Sequence, residues 1–102
     1  MDVKFKLIDN ILYVMLIGEL DEYTASYARN ILDESIYKYT FGSVVFELSK
    51  LDFMDSTGIG VLIGRYKTLS KKNKKTYISK PSKSIEKIFN MSGLFEIMPR
   101  IS

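Results

Sequence analysis

The most informative part of this sequence is the segment Phe53-Met54-Asp55-Ser56-Thr57-Gly58-Ile59-Gly60. It predicts the end of a strand, a short polar loop and the start of a helix. The helix continues as an apolar stripe at i, i+3, i+4, i+7 and i+10, which consists of Ile59, Leu62, Ile63, Tyr66 and Leu69. Ser56 is the predicted N-cap, because a serine hydroxyl accepts hydrogen bonds from the free N–H groups of a first helical turn.

Two interpretations of Ser56 remain open from the residues alone. It is either a plain N-cap or a serine that receives a phosphate, since the N–H groups and the dipole of a helix N-terminus stabilise an added anion. The nearby glycines Gly58, Gly60 and Gly64 each cost about 1 kcal/mol in a helix relative to alanine. We therefore expect another backbone to approach this helix closely.

The N-terminal residues predict a β-hairpin. Apolar residues alternate with lysines over residues 3–7, which is the period of a half-buried strand. Asp9-Asn10 predicts a turn. Ile11 to Ile17 is almost continuously apolar, so this second strand is expected to be covered on both faces and to end at Gly18.

Alternating helices and strands are predicted for the rest of the chain. A first helix begins with Asp21 as N-cap, and a buried strand ends near Leu48. Residues 76–79 predict a further strand, which precedes a third helix ending near Asn90, and residues 91–100 predict a loop with a short edge strand. This order predicts an α/β fold with a mixed, mainly parallel sheet, an N-terminal hairpin and helices packed mainly on one face.

The length and composition predict one globular domain over residues 1–102, with 46% of the residues hydrophobic. There is no cysteine, which excludes disulfides and cysteine-bound metals. The N-terminal residues lack the apolar core of a signal peptide, and no run approaches the roughly 18 apolar residues of a membrane span. We expect a cytoplasmic protein with no membrane partner.

The net charge of +3 hides an asymmetry. Residues 1–55 carry 10 acidic and 5 basic residues, whereas residues 56–102 carry 2 acidic and 10 basic residues. Four of the lysines are Lys71, Lys72, Lys74 and Lys75. They form either a solvated helix end and turn or an electrostatic docking surface. No nucleic-acid motif accompanies them, so nucleic acid is not an expected partner.

The residue inventory argues against an enzyme. There is no histidine, which excludes a Ser-His-Asp triad, and no phosphate-binding loop motif or G-x-S-x-G elbow occurs. Glu19, Asp21, Glu22 and Asp55 form a conceivable metal site, but capping and turn roles explain these carboxylates more simply. We expect no catalytic residue, no metal and no cofactor.

Three blocks of residues resemble the STAS family of anti-sigma factor antagonists. They are Gly18-Glu19-Leu20-Asp21, the segment from Phe53 to Lys67, and Met91-Ser92-Gly93-Leu94-Phe95. Their order and spacing are similar to those of the family over nearly the whole chain, most of all to the anti-sigma-F factor antagonists of endospore-forming bacteria. The resemblance implies a mixed sheet with helices on one side, in agreement with the reading from the residues.

The resemblance also implies a regulatory cycle. The unmodified antagonist binds an anti-sigma factor that is a serine kinase, and so frees a sporulation sigma factor. The kinase phosphorylates the serine that aligns with Ser56, the modified protein dissociates, and a serine phosphatase restores it. Asp21 would lie beside this serine, and Asp55, Thr57 and Gly58 would shape its loop.

Under this resemblance the partner is expected to contact one ridge of the molecule. The expected contact residues are Asp21, Glu22, Tyr23, Thr24, Met54, Asp55, Ser56, Thr57, Gly58, Ile59 and Arg65. One departure is that family members usually continue into a C-terminal helix, whereas this sequence ends at Ile101-Ser102. The alternative function is a STAS-type regulatory module that holds a small anion or nucleotide at the same helix N-terminus.

Overall fold

The computed structural model describes the whole chain from Met1 to Ser102. Its elements are β1 (Asp2–Ile8), β2 (Ile11–Leu20), α1 (Ala25–Lys38), β3 (Ser43–Glu47), β4 (Leu51–Met54), α2 (Ser56–Lys71), β5 (Lys75–Ser79), α3 (Lys83–Ser92) and α4 (Leu94–Ile97). The five strands form one sheet in the order β1-β2-β3-β5, and β4 pairs with β2 off this path.

The hairpin and the mixed sheet are confirmed. β1 runs antiparallel to β2, while the β2–β3, β2–β4 and β3–β5 pairs are all parallel. The hairpin turn places Asp9 at φ 49° and Asn10 at φ 68°. Aspartate and asparagine tolerate this left-handed region better than other residues with a side chain, which explains why the chain reverses here.

The hydrophobic core lies between one face of the sheet and the helices. It is a single cluster of 22 buried residues. Alternate strand residues such as Leu16, Phe46 and Ile78 meet helix residues such as Leu62 and Phe89, and all five are fully buried. The helices therefore cover one face of the sheet, as predicted, and the expectation that β2 is covered on both faces is wrong.

Strand β2 does not end at Gly18. It continues to Leu20, with a shift of register between Gly18 and Glu19, and its last residues pair with β4. Gly18 has φ 101°, a conformation that glycine adopts without strain. After this irregularity β2 pairs with β4 in place of β3. In β4 the buried residues are Leu51 and Met54, so its pattern lacks the period of two by which strands are recognised in a sequence.

The C-terminal segment is more helical than predicted. Helix α3 ends at Ser92, Gly93 follows at φ 72°, and the chain then forms the short helix α4 where a loop was expected. A left-handed glycine ends one helix and allows the next turn to start in a new direction. Arg100 makes a parallel bridge with Ile78, so the predicted edge contact is present as a single bridge.

The lysine-rich run lies at a helix end and a turn. Lys71 is the last residue of α2 and Lys75 the first of β5. Between them, Lys74 donates from Nζ to the Phe41 carbonyl at 2.8 Å and lies 4.0 Å from the centroid of the Phe41 ring. None of the helices combines the length and the hydrophobicity that crossing a bilayer requires.

Candidate functional site: the N-terminus of helix α2

Asp55, not Ser56, is the N-cap of α2. Its backbone is extended, at φ −105° and ψ −173°, and its side-chain Oδ1 accepts a hydrogen bond from the N–H of Gly58 at 2.9 Å. The sheet explains the difference of one residue: β4 pairs with β2 as far as Met54, so Asp55 is the last extended residue before the helix. Ser56 is consequently the first helical residue.

The carboxylate of Asp55 also joins two loops. Its second oxygen, Oδ2, accepts a hydrogen bond from the N–H of Glu22 at 3.2 Å. One side chain therefore holds the start of α2 against the loop that follows β2. A carboxylate that accepts two backbone N–H groups is a favourable arrangement, because hydrogen bonds to a charged acceptor are stronger than those between neutral groups.

The loop after β2 is a turn closed by Asp21. Asp21 Oδ1 accepts from the N–H groups of Tyr23 at 3.0 Å and Thr24 at 3.1 Å. Thr24 Oγ1 in turn accepts from the N–H of Asp21 at 3.0 Å and donates to the Glu19 carbonyl at 2.9 Å. The prediction of Asp21 as N-cap of α1 is wrong: α1 begins at Ala25 after Thr24, because Asp21 uses its side chain to close the turn instead.

Gly58 brings the first turn of α2 against the end of β2. A Cβ atom at this position would lie 2.1 Å from the Leu20 carbonyl oxygen and 2.9 Å from Met54 Cγ. The expected close approach of another backbone is confirmed here. It is wrong for Gly60 and Gly64, where nothing would lie within 4 Å of an added Cβ atom.

Ser56 is an exposed residue at this junction. The first backbone hydrogen bond of α2 is donated by the N–H of Ile59 to the Asp55 carbonyl at 2.9 Å. The N–H of Gly58 donates to the side chain of Asp55, the N-cap. The N–H groups of Ser56 and Thr57 precede these bonds, where the helix dipole is most positive. The Ser56 hydroxyl therefore lies on a surface whose backbone favours negative charge while its side chains are acidic.

Comparisons with known proteins identify the fold and the family. The family model of the STAS domain matches residues 2–102 of this chain. The chain belongs to the STAS family. It is 39% identical over 89 residues to the anti-sigma F factor antagonist of Paenibacillus polymyxa, covering 87% of this chain and 76% of that protein. It is 30% identical over 86 residues to the anti-sigma-B factor antagonist of Listeria monocytogenes, covering 83% and 74%.

Solved structures agree with this STAS assignment. The phosphorylated form of the Bacillus cell fate determinant SpoIIAA superimposes with a TM-score of 0.74 at 25% identity, covering 99% of this chain and 92% of that one. The resemblance found from the three sequence blocks, and the STAS fold that it implied, are thus confirmed.

The predicted contact residues of this STAS domain divide into an exposed and a buried group. Asp21, Thr57 and Ile59 are partly exposed beside the exposed residues Glu22, Tyr23 and Ser56. Thr24 is also partly exposed, within the Asp21 turn. Met54 and Gly58 are buried, so these two support the surface from below and do not form part of it.

Arg65 lies apart from the other predicted contact residues. It follows Ser56 by about 14 Å along the axis of α2, at about 1.5 Å per residue. Its Nε is 3.0 Å from Asp33 Oδ1 on α1, and its side chain is only 12% exposed. Arg65 therefore joins the two long helices.

One exposed aromatic residue was missed from the predicted contact set. Phe53 is 49% exposed at the end of β4, where it pairs in register with Glu19, and Tyr23 across the junction is 86% exposed. Both rings lie next to the loops that Asp55 joins. The sequence does not indicate that Phe53 is exposed, because an aromatic residue next to an apolar residue such as Met54 is expected to lie in the hydrophobic core.

Two of the four carboxylates considered as a metal site, those of Asp21 and Asp55, have structural roles. Asp21 and Asp55 accept backbone N–H groups, and no group of three or more acidic, histidine or cysteine side chains is placed to hold a metal ion. The simpler interpretation, caps and turns, is the one that the geometry supports.

We expect Gly58→Ala to destabilise the domain by about 1–3 kcal/mol, because the new methyl group would meet the Leu20 carbonyl, which cannot move without breaking the sheet. Gly60→Ala is the matched control: nothing lies near it, so it should gain up to about 1 kcal/mol of helix propensity. Urea unfolding of both variants tests this. Equal stability of the two would contradict the close contact.

We expect Asp55→Ala to cost about 1–2 kcal/mol, because it removes the cap of α2 and the acceptor of the Glu22 N–H. Amide exchange should accelerate at Gly58 and Glu22 in the variant. Asp52→Ala, on the exposed side of the same strand, is the control and should change stability by less than about 0.5 kcal/mol. Unchanged exchange at Gly58 would show that another group caps the helix.

Proposed function

We propose that this chain is an anti-sigma factor antagonist controlled by phosphorylation of Ser56. In its unmodified form it binds an anti-sigma factor that is also a serine kinase, and a sporulation sigma factor is released. Phosphorylation by that kinase ends the binding, and a serine phosphatase reverses the modification. The chain itself acts in the cytoplasm as a regulator with no catalytic residue and no cofactor.

This proposal rests on the exposed residue Ser56, which lies where the N-terminus of α2 meets the loop after β2. Asp55 holds the N-terminus of α2 beside the Asp21 turn, so a partner meets one continuous surface from two separate loops. The names of the relatives support the class of partner, since they are antagonists of anti-sigma factors. The name of the SpoIIAA structure supports a phosphorylated form in this family.

The chemistry required of this chain is small. The kinase transfers the γ-phosphoryl group of ATP to Ser56 Oγ, the hydroxyl proton leaves to a base of the kinase, and ADP is released. The phosphatase then hydrolyses the phosphate ester and returns the hydroxyl. This chain contributes an accessible acceptor on a rigid helix end, and the exposed position of Ser56 suits both enzymes.

Charge and bulk explain how the phosphate would release the partner. The group adds roughly −1.5 to −2 charges. In the free protein the N-terminus of α2 stabilises it by at most about 2 kcal/mol. In the complex the same group loses the water that screens it from Asp21, Glu22 and Asp55 and faces a partner surface that fits a hydroxyl, so repulsion and desolvation oppose it. A difference of about 3 kcal/mol weakens binding on the order of 100-fold.

Similarity supports an anti-sigma F factor as the partner over an anti-sigma-B factor. The relative with the higher identity is an anti-sigma F antagonist, and the anti-sigma-B antagonist is more distant. The shape of the site supports a protein partner over a small anion. The two grooves on the surface of the molecule are lined by residues other than Ser56 and its neighbours.

We expect one phosphate at Ser56 after incubation with the cognate anti-sigma kinase and ATP, detected by mass spectrometry of the peptide that contains it. Ser56→Ala should take none. Thr57→Ala, which removes the adjacent and less exposed hydroxyl, should still take one. Phosphate on Thr57, or on the Ser56→Ala variant, would place the acceptor elsewhere.

We expect Ser56→Ala to bind the kinase with unchanged affinity in the presence of ATP, whereas the phosphorylated protein binds about 100-fold more weakly. Because Asp55 is the cap, this substitution should cost less than about 0.5 kcal/mol of stability. On phosphorylation, backbone chemical shifts should change around residues 54–60 and the Asp21 turn only. Shifts spread across the sheet would indicate refolding and contradict a local charge mechanism.

A further inference from the structure

The face of the sheet opposite the helices is an apolar surface without a cover. From Ile11 to Ile17, strand β2 has apolar side chains at every position on this face, namely Ile11, Tyr13, Met15 and Ile17, and the exposed Glu19 follows them. All four are partly exposed, in contrast to the buried residues that alternate with them. The sequence of β2 is that of a strand covered on both sides, yet the chain itself supplies only one cover.

The strand register extends this surface sideways. Tyr13 pairs with Val45 of β3, and Val45 pairs with Tyr77 of β5, so the three side chains form one row on the open face. Val45 is only 2% exposed, although it lies outside the core cluster, because the neighbouring side chains of this face shield it. The open face therefore has an apolar centre three strands wide.

Lysines border this centre on both sides. Lys6 lies in register with Tyr13 and Lys4 with Met15, both on edge strand β1. Lys75 and Lys80 lie at the two ends of β5, the opposite border. The acid within the open face of β3 is Glu47, and its carboxylate is already 3.8 Å from Lys80 Nζ. A groove of about 500 Å³ on the same face is lined by Met15 together with Lys4, Lys6 and Lys80.

We propose that this open face is a docking surface for an acidic amphipathic helix of a partner protein. The apolar row from Ile11 to Ile17 is about 20 Å long, at about 3.3 Å per residue, which matches about four turns of helix. The lysine borders on β1 and β5 lie three strand spacings apart, or about 14 Å. A helix of about 10–12 Å diameter lies between them with its acidic flanks within reach of both borders.

The charge of the open face determines which charge the partner helix should carry. With Lys80 paired to Glu47, the remaining lysines Lys4, Lys6 and Lys75 outnumber the remaining acids of this face, Asp2 and Glu19. Acidic flanks of a partner therefore add attraction and basic flanks add repulsion. A second copy of this chain is a poor occupant for the same reason, since two such faces would bring lysines against lysines. The docking surface is separate from the Ser56 junction, because one is a strand face and the other a loop edge.

A designed peptide pair tests the proposal. The probe is a helical peptide of about 18 residues with leucines on one face and glutamates on the other, and the control peptide has lysine at every glutamate position. Titration into the isotope-labelled full chain should shift residues of β1, β2 and β5 on the open face. The lysine peptide should bind at least about tenfold more weakly.

Paired charge reversals identify the surface. Lys4→Glu with Lys6→Glu should weaken the acidic peptide at least about tenfold, and the single Lys6→Glu by less. The control is Lys67→Glu with Lys87→Glu, two exposed lysines on the helical side that make the same change in net charge. The control variant should bind as the parent does, and circular dichroism of each variant verifies its fold.

Four results would overturn the proposal. They are equal binding of both peptides, equal loss in both double variants, peptide shifts centred on residues 54–60, and the same open-face shifts on raising the protein concentration alone, which would indicate self-association. Vesicles of phosphatidylcholine with 30% phosphatidylglycerol serve as the lipid arm. A fifth result would assign the face to an anionic membrane instead: these vesicles displace the peptide equally well from the parent and from the Lys67/Lys87 control, but fail to bind the Lys4/Lys6 variant.

Discussion

The contact between the first turn of α2 and the end of β2 determines the geometry of the whole candidate site. Gly58 permits it, because any side chain there would collide with the Leu20 carbonyl. Asp55 then completes it, since its two oxygens hold the Gly58 N–H on one side and the Glu22 N–H on the other. A helix end and a loop distant in sequence are thus held as one rigid surface, with Ser56 exposed upon it.

This arrangement suits a switch that needs little motion. Under the proposed function, the backbone around Ser56 stabilises a phosphate in the free protein, and a partner that removes water from the acidic side chains around it opposes the phosphate. The signal is then carried by the difference between two environments of the same group. Changes of conformation are unnecessary because the junction is already fixed by hydrogen bonds of 2.9–3.2 Å.

The molecule presents two surfaces of opposite sign. The carboxylates of Asp21, Glu22 and Asp55 lie in the loops around Ser56. The open face of the sheet is instead bordered mainly by lysines. A net charge of +3 for the whole chain describes neither of them. Since charge complementarity governs which partners associate, the two proposed partners differ in chemistry and meet the domain at separate surfaces.

The local pattern of the sequence was sufficient for the hairpin, the long helices, the mixed sheet and the importance of the segment around Ser56. Those features depend on periodicity and on turn residues such as Asp9-Asn10, which act over a few positions. The cap of α2, the role of Asp21 and the pairing of β4 with β2 were decided only by tertiary structure. Pairing with β2 ends at Met54, so the cap falls on Asp55, and the Arg65 side chain is paired with Asp33 of α1. Likewise the sequence of β2 indicated two covered faces, but only the path of the chain determined that its helices all pack on one of them.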